Sequence, residues 1–224
     1  MKLGFAAREV GGTLVTDAAW QYAPVPPQPA LTYPRNAMTT SFTPPSYSSA
    51  PDVNWTTADL CDTCMGEADW GLRVLPPVFR AFGGRSWYFG QVVAVPSPNP
   101  DGALSLAGLL AEPGLGRVLV VDGLGSAAHA ILGDRMAGMG VQNGWSGVLV
   151  NGHVRDTPVL ARMPLGVHAL GTMPNRPAAM ATAQAGEAVQ IQGVTVRTGD
   201  WLYADTDGVI VLARRHAPAG GGGR

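Results

Sequence analysis

From about residue 54 to residue 216 the chain alternates short apolar runs with glycine-marked turns, and few folds accommodate that alternation. The runs at 91–95 and 117–121 read as strands, the second being Val118-Leu119-Val120-Val121 just before Asp122. The runs at 147–151 and 166–170 repeat the pattern. Toward the end, 188–191, 194–196, 201–204 and 209–212 are short strands with turn signals between them. Asp207-Gly208 predicts a hairpin turn between the last two, because both residue types tolerate positive φ. Helical patterns fall between the earlier strands. Residues 59–65 follow Thr56 and Thr57 as N-cap candidates, and 102–111 carries Leu104, Leu106, Leu109 and Leu110. Residues 134–143 end before Gly144, a C-cap candidate, and 158–162 supply a single turn. The order is β-α-β followed by a strand-rich last forty residues, which predicts one α/β domain with an antiparallel portion over 54–216.

The flanks differ. Eight prolines lie between Pro24 and Pro51, with Arg35 the only charge among them. Proline fixes φ and removes a donor, so neither helix nor central strand propagates there. Residues 1–53 are expected to be a poorly ordered extension, and Met38 within it leaves a downstream start open. Residues 217–224 form a glycine-rich tail. Fifteen basic and sixteen acidic side chains leave a net charge of −1. Nucleic-acid binding needs clustered Lys and Arg, which one lysine and scattered arginines do not supply. There is no apolar run of membrane-spanning length and no secretory h-region, so a cytoplasmic protein without a membrane is expected.

Three motifs offer chemistry. Cys61 and Cys64 have C-x-x-C spacing, but a structural zinc site needs four ligands, and the histidines are scattered at 129, 153, 168 and 216. Two small residues on a helix is the simpler reading. Gly123-Leu124-Gly125 follows a strand, yet Ala128 stands where a third glycine of a dinucleotide loop belongs, so a tight turn accounts for it better. The third constellation is the most informative: Gly133-Asp134 opening a helix, then Gly152-His153-Val154-Arg155-Asp156 after a strand. Helix starts favour anions, Arg offers a bidentate fork to a carboxylate, and Asp is a hard oxygen ligand. A surface ion pair is the competing account of Arg155 and Asp156.

These residues resemble the regulator of ribonuclease activity A family, which includes the class II 4-hydroxy-4-methyl-2-oxoglutarate aldolases. The likeness runs through Thr57-Ala58-Asp59-Leu60-Cys61-Asp62, Phe82-Gly83-Gly84-Arg85 and Gly116 to Gly123. It continues through Ala137 to Asn143, Val154-Arg155-Asp156 and Leu202-Tyr203-Ala204-Asp205. The resemblance implies a three-layer swivelling β/β/α domain, assembled as a homotrimer or hexamer with clefts between subunits. The aldolases carry Gly-Asp at the helix start and Arg-Asp some 21 residues on, which Asp134, Arg155 and Asp156 match here.

The activity implied is metal-dependent retro-aldol cleavage of 4-hydroxy-4-methyl-2-oxoglutarate to two pyruvates, with secondary oxaloacetate decarboxylation through the same enolate. Under that resemblance Asp156 holds a divalent cation, Mg²⁺ or Mn²⁺. Arg155 binds the carboxylate of the 2-keto acid and steadies the enolate oxygen. The amides of Gly133, Asp134, Arg135 and Met136 take a carboxylate, and Asp134 orients a water that shuttles the proton. A Schiff-base mechanism is excluded on independent grounds, because the sole lysine is Lys2. Some aldolases add an acidic residue from a C-terminal segment; after Leu212 this chain has Arg214, Arg215 and His216 instead, leaving Asp200, Asp205 and Asp207 as substitutes. The alternative in the same family is a non-catalytic regulator that binds and inhibits ribonuclease E.

Overall fold

The computed structural model describes residues 8–10, 13–15, 55–99 and 101–216. The chain divides into two compact units, Met1–Pro51 and Asp52–Arg224. In the first, β1 (Arg8–Val10) pairs antiparallel with β2 (Thr13–Val15), a hairpin that the sequence reading did not anticipate. The proline-rich stretch at 24–51 and the tail at 217–224 lie outside the described residues.

The second unit runs α1 (Thr57–Cys64), a 3-10 turn (Ala68–Trp70), β3 (Arg73–Val74), β4 (Arg80–Ala81), β5 (Tyr88–Val95), β6 (Leu104–Ser105), α2 (Ala107–Ala111) and β7 (Val118–Asp122). It continues with β8 (Ala130–Leu132), α3 (Asp134–Gln142), β9 (Gly147–Val154), α4 (Thr157–Leu160) and β10 (Gly166–Thr172). The short strands β11 (Ala181–Thr182), β12 (Ala188–Ile191), β13 (Val194–Arg197), β14 (Trp201–Ala204) and β15 (Val209–Leu212) complete it. The main sheet has the order β3-β15-β14-β5-β7-β9-β10-β4, with β8 paired to the end of β9. Its centre, β5-β7-β9-β10, is parallel, and its two flanks are antiparallel. Strand β5 joins the two styles: residues 88–91 pair with β14 and residues 92–95 with β7.

Strands covered on both faces read as continuous apolar runs, and their side chains still alternate between two cores. Leu119, Val121, Val148 and Val150 pack toward Leu109, Leu110, Ala137 and Leu160 of α2, α3 and α4. Val118, Val120 and Leu149 face the other way, onto Val189, Ile191 and Val196 of the β12–β13 hairpin and Leu202 and Val211. Behind β14 and β15, Leu60 and Cys64 of α1 join Trp55, Tyr203, Ile210 and Leu212 in a third core. The molecule is thus a mixed α/β, sheet-dominated layering of helices, parallel sheet and antiparallel strands. Tyr88 is buried over the starts of β9 and β10, where a Cβ on Gly147 or Gly166 would run into its ring.

Two expectations are corrected. The pattern at 102–111 is not one helix: Gly102 has φ +74°, Leu104–Ser105 is extended against Ala181–Thr182, and the helix starts only at Ala107. Leucines that half-share a helical face were instead serving a strand and then a helix. Asp207-Gly208 does turn the β14–β15 hairpin, but not through positive φ; the Asp205 carboxylate closes it by accepting the N–H groups of Asp207 (2.9 Å) and Gly208 (3.3 Å). The left-handed hairpin turn is at Gln192-Gly193, φ +49° and +84°, between β12 and β13. Helix α1 starts at Thr57, two residues before the expected start; of the two cap candidates Thr56 is the N-cap, in a reciprocal capping box with Asp59. No helix among the described residues is long and apolar enough to cross a membrane.

Candidate active site

Two chain segments meet where the parallel sheet ends. Strand β9 extends to Val154, so Gly152 and His153 belong to it, and Arg155 and Asp156 follow directly. The Arg155 N–H donates to the Leu132 carbonyl at 2.9 Å, which ties this end to the end of β8. Gly133 comes next as the N-cap of α3, with Asp134 the first helical residue. The sequence motifs are 21 residues apart, yet one backbone hydrogen bond brings them side by side.

Asp156 adopts φ +57° and ψ +32°, the left-handed region that a non-glycine residue enters at a cost of roughly 1 kcal/mol. Its carbonyl receives the N–H groups of Val159 and Leu160, which start α4. Its carboxylate turns toward α3: Oδ2 accepts from the Asp134 N–H at 3.3 Å and lies 3.2 Å from Arg155 Nε. Among the described residues nothing donates to Asp156 Oδ1. Gly133 makes the approach feasible, because a Cβ there would stand 2.6 Å from Asp156 Oδ2 and 3.0 Å from Arg155 Nε. Asp134 Oδ1 accepts the Arg135 N–H at 2.6 Å. Two of the four amides expected to take a carboxylate, those of Asp134 and Arg135, therefore already meet carboxylates of the chain.

A cavity of about 210 Å³ opens on this corner. Gly133, Asp134, Arg135 and Met136 form one part of its wall and Arg155 another, so five of the six residues read from sequence line it and Asp156 adjoins it. Sequence reasoning missed Ser105, Arg176 and Met180, which also line it. They come from β6 and the loop after β10, with no local motif to mark them. Three guanidinium groups, those of Arg135, Arg155 and Arg176, against the one carboxylate of Asp134 in its lining make the cavity attractive to anions.

The other sequence candidates lie elsewhere. His153 is half-buried, with Nδ1 2.9 Å from the Ser126 carbonyl, and does not line the cavity. Asp200 is paired with Arg73 at 2.8 Å and accepts the Arg197 N–H at 2.7 Å. Asp205 holds the start of α1 through Thr57. Burial pushes the Cys61 and Cys64 thiols up, with Asp62 and Asp205 adding to the effect at Cys61. That is opposite to what thiolate chemistry or metal ligation requires.

Among the described residues no three His, Cys, Asp or Glu side chains gather as a metal cage. The corner nevertheless fits a hard dication of the Mg²⁺ kind, which usually takes one or two carboxylates and fills its remaining positions with water and substrate oxygens. Asp156, with one carboxylate oxygen uncommitted, is such a donor.

A family model for RraA-like proteins, described as Aldolase/RraA, matches residues 57–211. A protein of Alkalilimnicola ehrlichii, provisionally named a 4-hydroxy-4-methyl-2-oxoglutarate aldolase, is 46% identical over 155 residues, covering 69% of this chain and 92% of that one. The structure of the RNA-processing inhibitor RraA from Thermus thermophilis matches with a TM-score of 0.66 and 34% identity, over 76% of this chain and 100% of the other. A Geobacillus kaustophilus structure described as S-adenosylmethionine:2-dimethylmenaquinone methyltransferase matches with the same TM-score and identity, over 72% and 96%.

Proposed function

The chain belongs to the RraA-like family, and on that footing we propose that it is a metal-dependent carbon–carbon lyase that cleaves 4-hydroxy-4-methyl-2-oxoglutarate into two pyruvates. The observation that carries the reading is the convergence of Asp134, Arg155 and Asp156 around the bare Gly133 backbone beside a cationic cavity. The relatives' provisional name supports the same substrate.

In the reaction the C4 hydroxyl loses its proton and the C3–C4 bond breaks. C4 becomes the carbonyl of one pyruvate, and the electron pair passes to C3 and the C2 oxygen as an enolate. Protonation at C3 gives the second pyruvate, so atoms and charge balance. Arg155 binds the C1 carboxylate and faces the charge that develops on the C2 oxygen, where a fixed cation lowers the barrier. The start of α3 adds its dipole to the same end. Asp134 carries the proton, through water, from the C4 hydroxyl toward C3. Asp156 would hold the dication, which when bound supplies Lewis-acid polarisation of the 2-oxo group. Oxaloacetate gives the same enolate on losing CO₂, so it is a second substrate of this site. A homotrimer is the assembly that goes with this reading.

The test is pyruvate release from both substrates with Mg²⁺ or Mn²⁺, then with EDTA. Arg155→Ala and Asp156→Ala are each expected to lower kcat by about 10²- to 10³-fold. Gly133→Ala is expected to do likewise by pushing Asp156 and Arg155 off position, with its unfolding midpoint little changed. Folded, metal-loaded protein without turnover on either substrate would sink the lyase reading. It would leave the alternative of a non-catalytic regulator of ribonuclease E, in keeping with the description of the Thermus protein as an RNA-processing inhibitor.

A further inference from the structure

The loop between β10 and β11 lends residues to the cavity wall and is tied at both ends. At its start the Asn175 carbonyl accepts the Ala130 N–H at 2.9 Å, and Asn175 Nδ2 donates to the Ala128 carbonyl at 2.7 Å. At its finish the Ala181 N–H donates to the Ala103 carbonyl at 3.1 Å, and Ala181–Thr182 pairs with Leu104–Ser105. Between these anchors the loop contributes Arg176 and Met180 to the cavity wall. Among the described residues the ion pairs are Arg73–Asp200 and Arg155–Asp156, so the Arg176 guanidinium has no acidic partner there. The wall also carries the apolar side chains Ile131, Met136, Met139 and Met180. Among the described residues, then, Arg176 sets a guanidinium without an acidic partner into the same cavity wall as Arg155, on a loop anchored at both ends and beside apolar side chains.

We infer that Arg176 is the specificity-determining residue of this site, binding the distal carboxylate of a 2-oxo diacid whose 2-oxo end lies at Arg155 and the start of α3. Which end reacts rests on the lyase reading; the selection of a diacid over a monoacid does not. A 2-oxo acid ending in a methyl group leaves Arg176 without its partner and binds less tightly.

The test is calorimetric titration of the full chain, with Mg²⁺ present, using 2-oxoglutarate and 2-oxopentanoate, which share a chain length and differ in the distal carboxylate. A charge-assisted hydrogen-bonded pair predicts that the wild type binds the diacid roughly 10- to 100-fold more tightly. Arg176→Gln, a change at an exposed loop position, erases the preference while moving the monoacid affinity by less than about threefold. Arg176→Lys keeps part of it, since the charge survives and the fork does not. The inference is overturned by a wild type with no preference, including one that binds neither acid. It is equally overturned by an Arg176→Gln variant that keeps the preference or weakens both ligands alike. Cleavage of 4-hydroxy-4-methyl-2-oxoglutarate is followed in parallel: no cleavage with the preference intact ends the lyase reading and leaves Arg176 as a diacid-binding residue.

Discussion

His168 lies on β10 inside the sheet, 3% exposed, with Nδ1 3.1 Å from the Tyr88 hydroxyl. Burial holds its imidazole neutral and lowers its pKa from 6.5 to about 4, against a smaller opposite pull from the charge of Asp205. Neutral His is therefore the native form, and the proton enters the unfolded chain first. Above pH 6.5 neither state binds that proton and the full stability is present. As pH falls from about 6.5 to about 4 the unfolded state gains it alone, and roughly 3 kcal/mol of unfolding free energy is lost. Asp205, whose pKa is lowered, separates from this window, because its contribution is lost only as pH falls below the ordinary value of 3.8. Urea unfolding at pH 7.5 and pH 5 measures the effect, and His168→Gln should flatten the slope. A wild-type slope that is already flat over that interval would show that the imidazole is not desolvated.

Helix α1 is held by polar contacts as well as by its apolar face. Asp205, in the turn between β14 and β15, accepts the Thr57 N–H at 2.6 Å and the Thr57 hydroxyl at 2.7 Å, and also the N–H groups of Asp207 and Gly208. Burial alone would raise its pKa; the bonds to Thr57, Asp207 and Gly208 outweigh it and lower it. One carboxylate thus serves a helix start and a strand turn 148 residues apart in sequence. Asp205→Ala strands these donors in a buried place and should cost about 3 kcal/mol, whereas Thr56→Ala removes one cap for about 1 kcal/mol. Thermal unfolding of the two variants gives the order, and equal losses would mean that α1 is held by its apolar contacts instead. The contrast also explains what sequence could foresee. The Thr56 cap and the apolar runs of β7 and β9 are written in consecutive residues; Gly133-Asp134 and Arg155-Asp156 are each local motifs too, although it is the Arg155–Leu132 hydrogen bond that sets them side by side. The Asp205 clamp, the Tyr88–His168 pair and Arg176 depend on partners that only the sheet order brings together, so local pattern carries no trace of them. Leu104 went to a strand because its partner Ala181 is 77 residues away, which no helical periodicity registers.

At the scale of the whole molecule, the question is how much chain the family fold requires. The three cores draw on residues 55–212. The family model spans 57–211, and the Alkalilimnicola relative is covered over 92% of its length by 155 matched residues of this chain. Every residue that lines the cavity, and both anchors of the Arg176 loop, fall inside that span. Stability rises with the apolar surface a chain buries, and a unit of this size buries enough to stand by itself. A chain beginning at Asp52 should therefore match the full-length protein in unfolding midpoint to within about 2 °C, the shift that follows from less than 1 kcal/mol at this size. On the proposed lyase reading and the proposed role of Arg176, it should also keep the same kcat/KM for pyruvate release and the same preference for 2-oxoglutarate over 2-oxopentanoate. Differential scanning calorimetry and the two ligand titrations on the shortened and full chains make the comparison. A midpoint several degrees lower would assign residues 1–51 a part in holding the family fold, and an unchanged midpoint with altered diacid preference would assign them a part at the cavity.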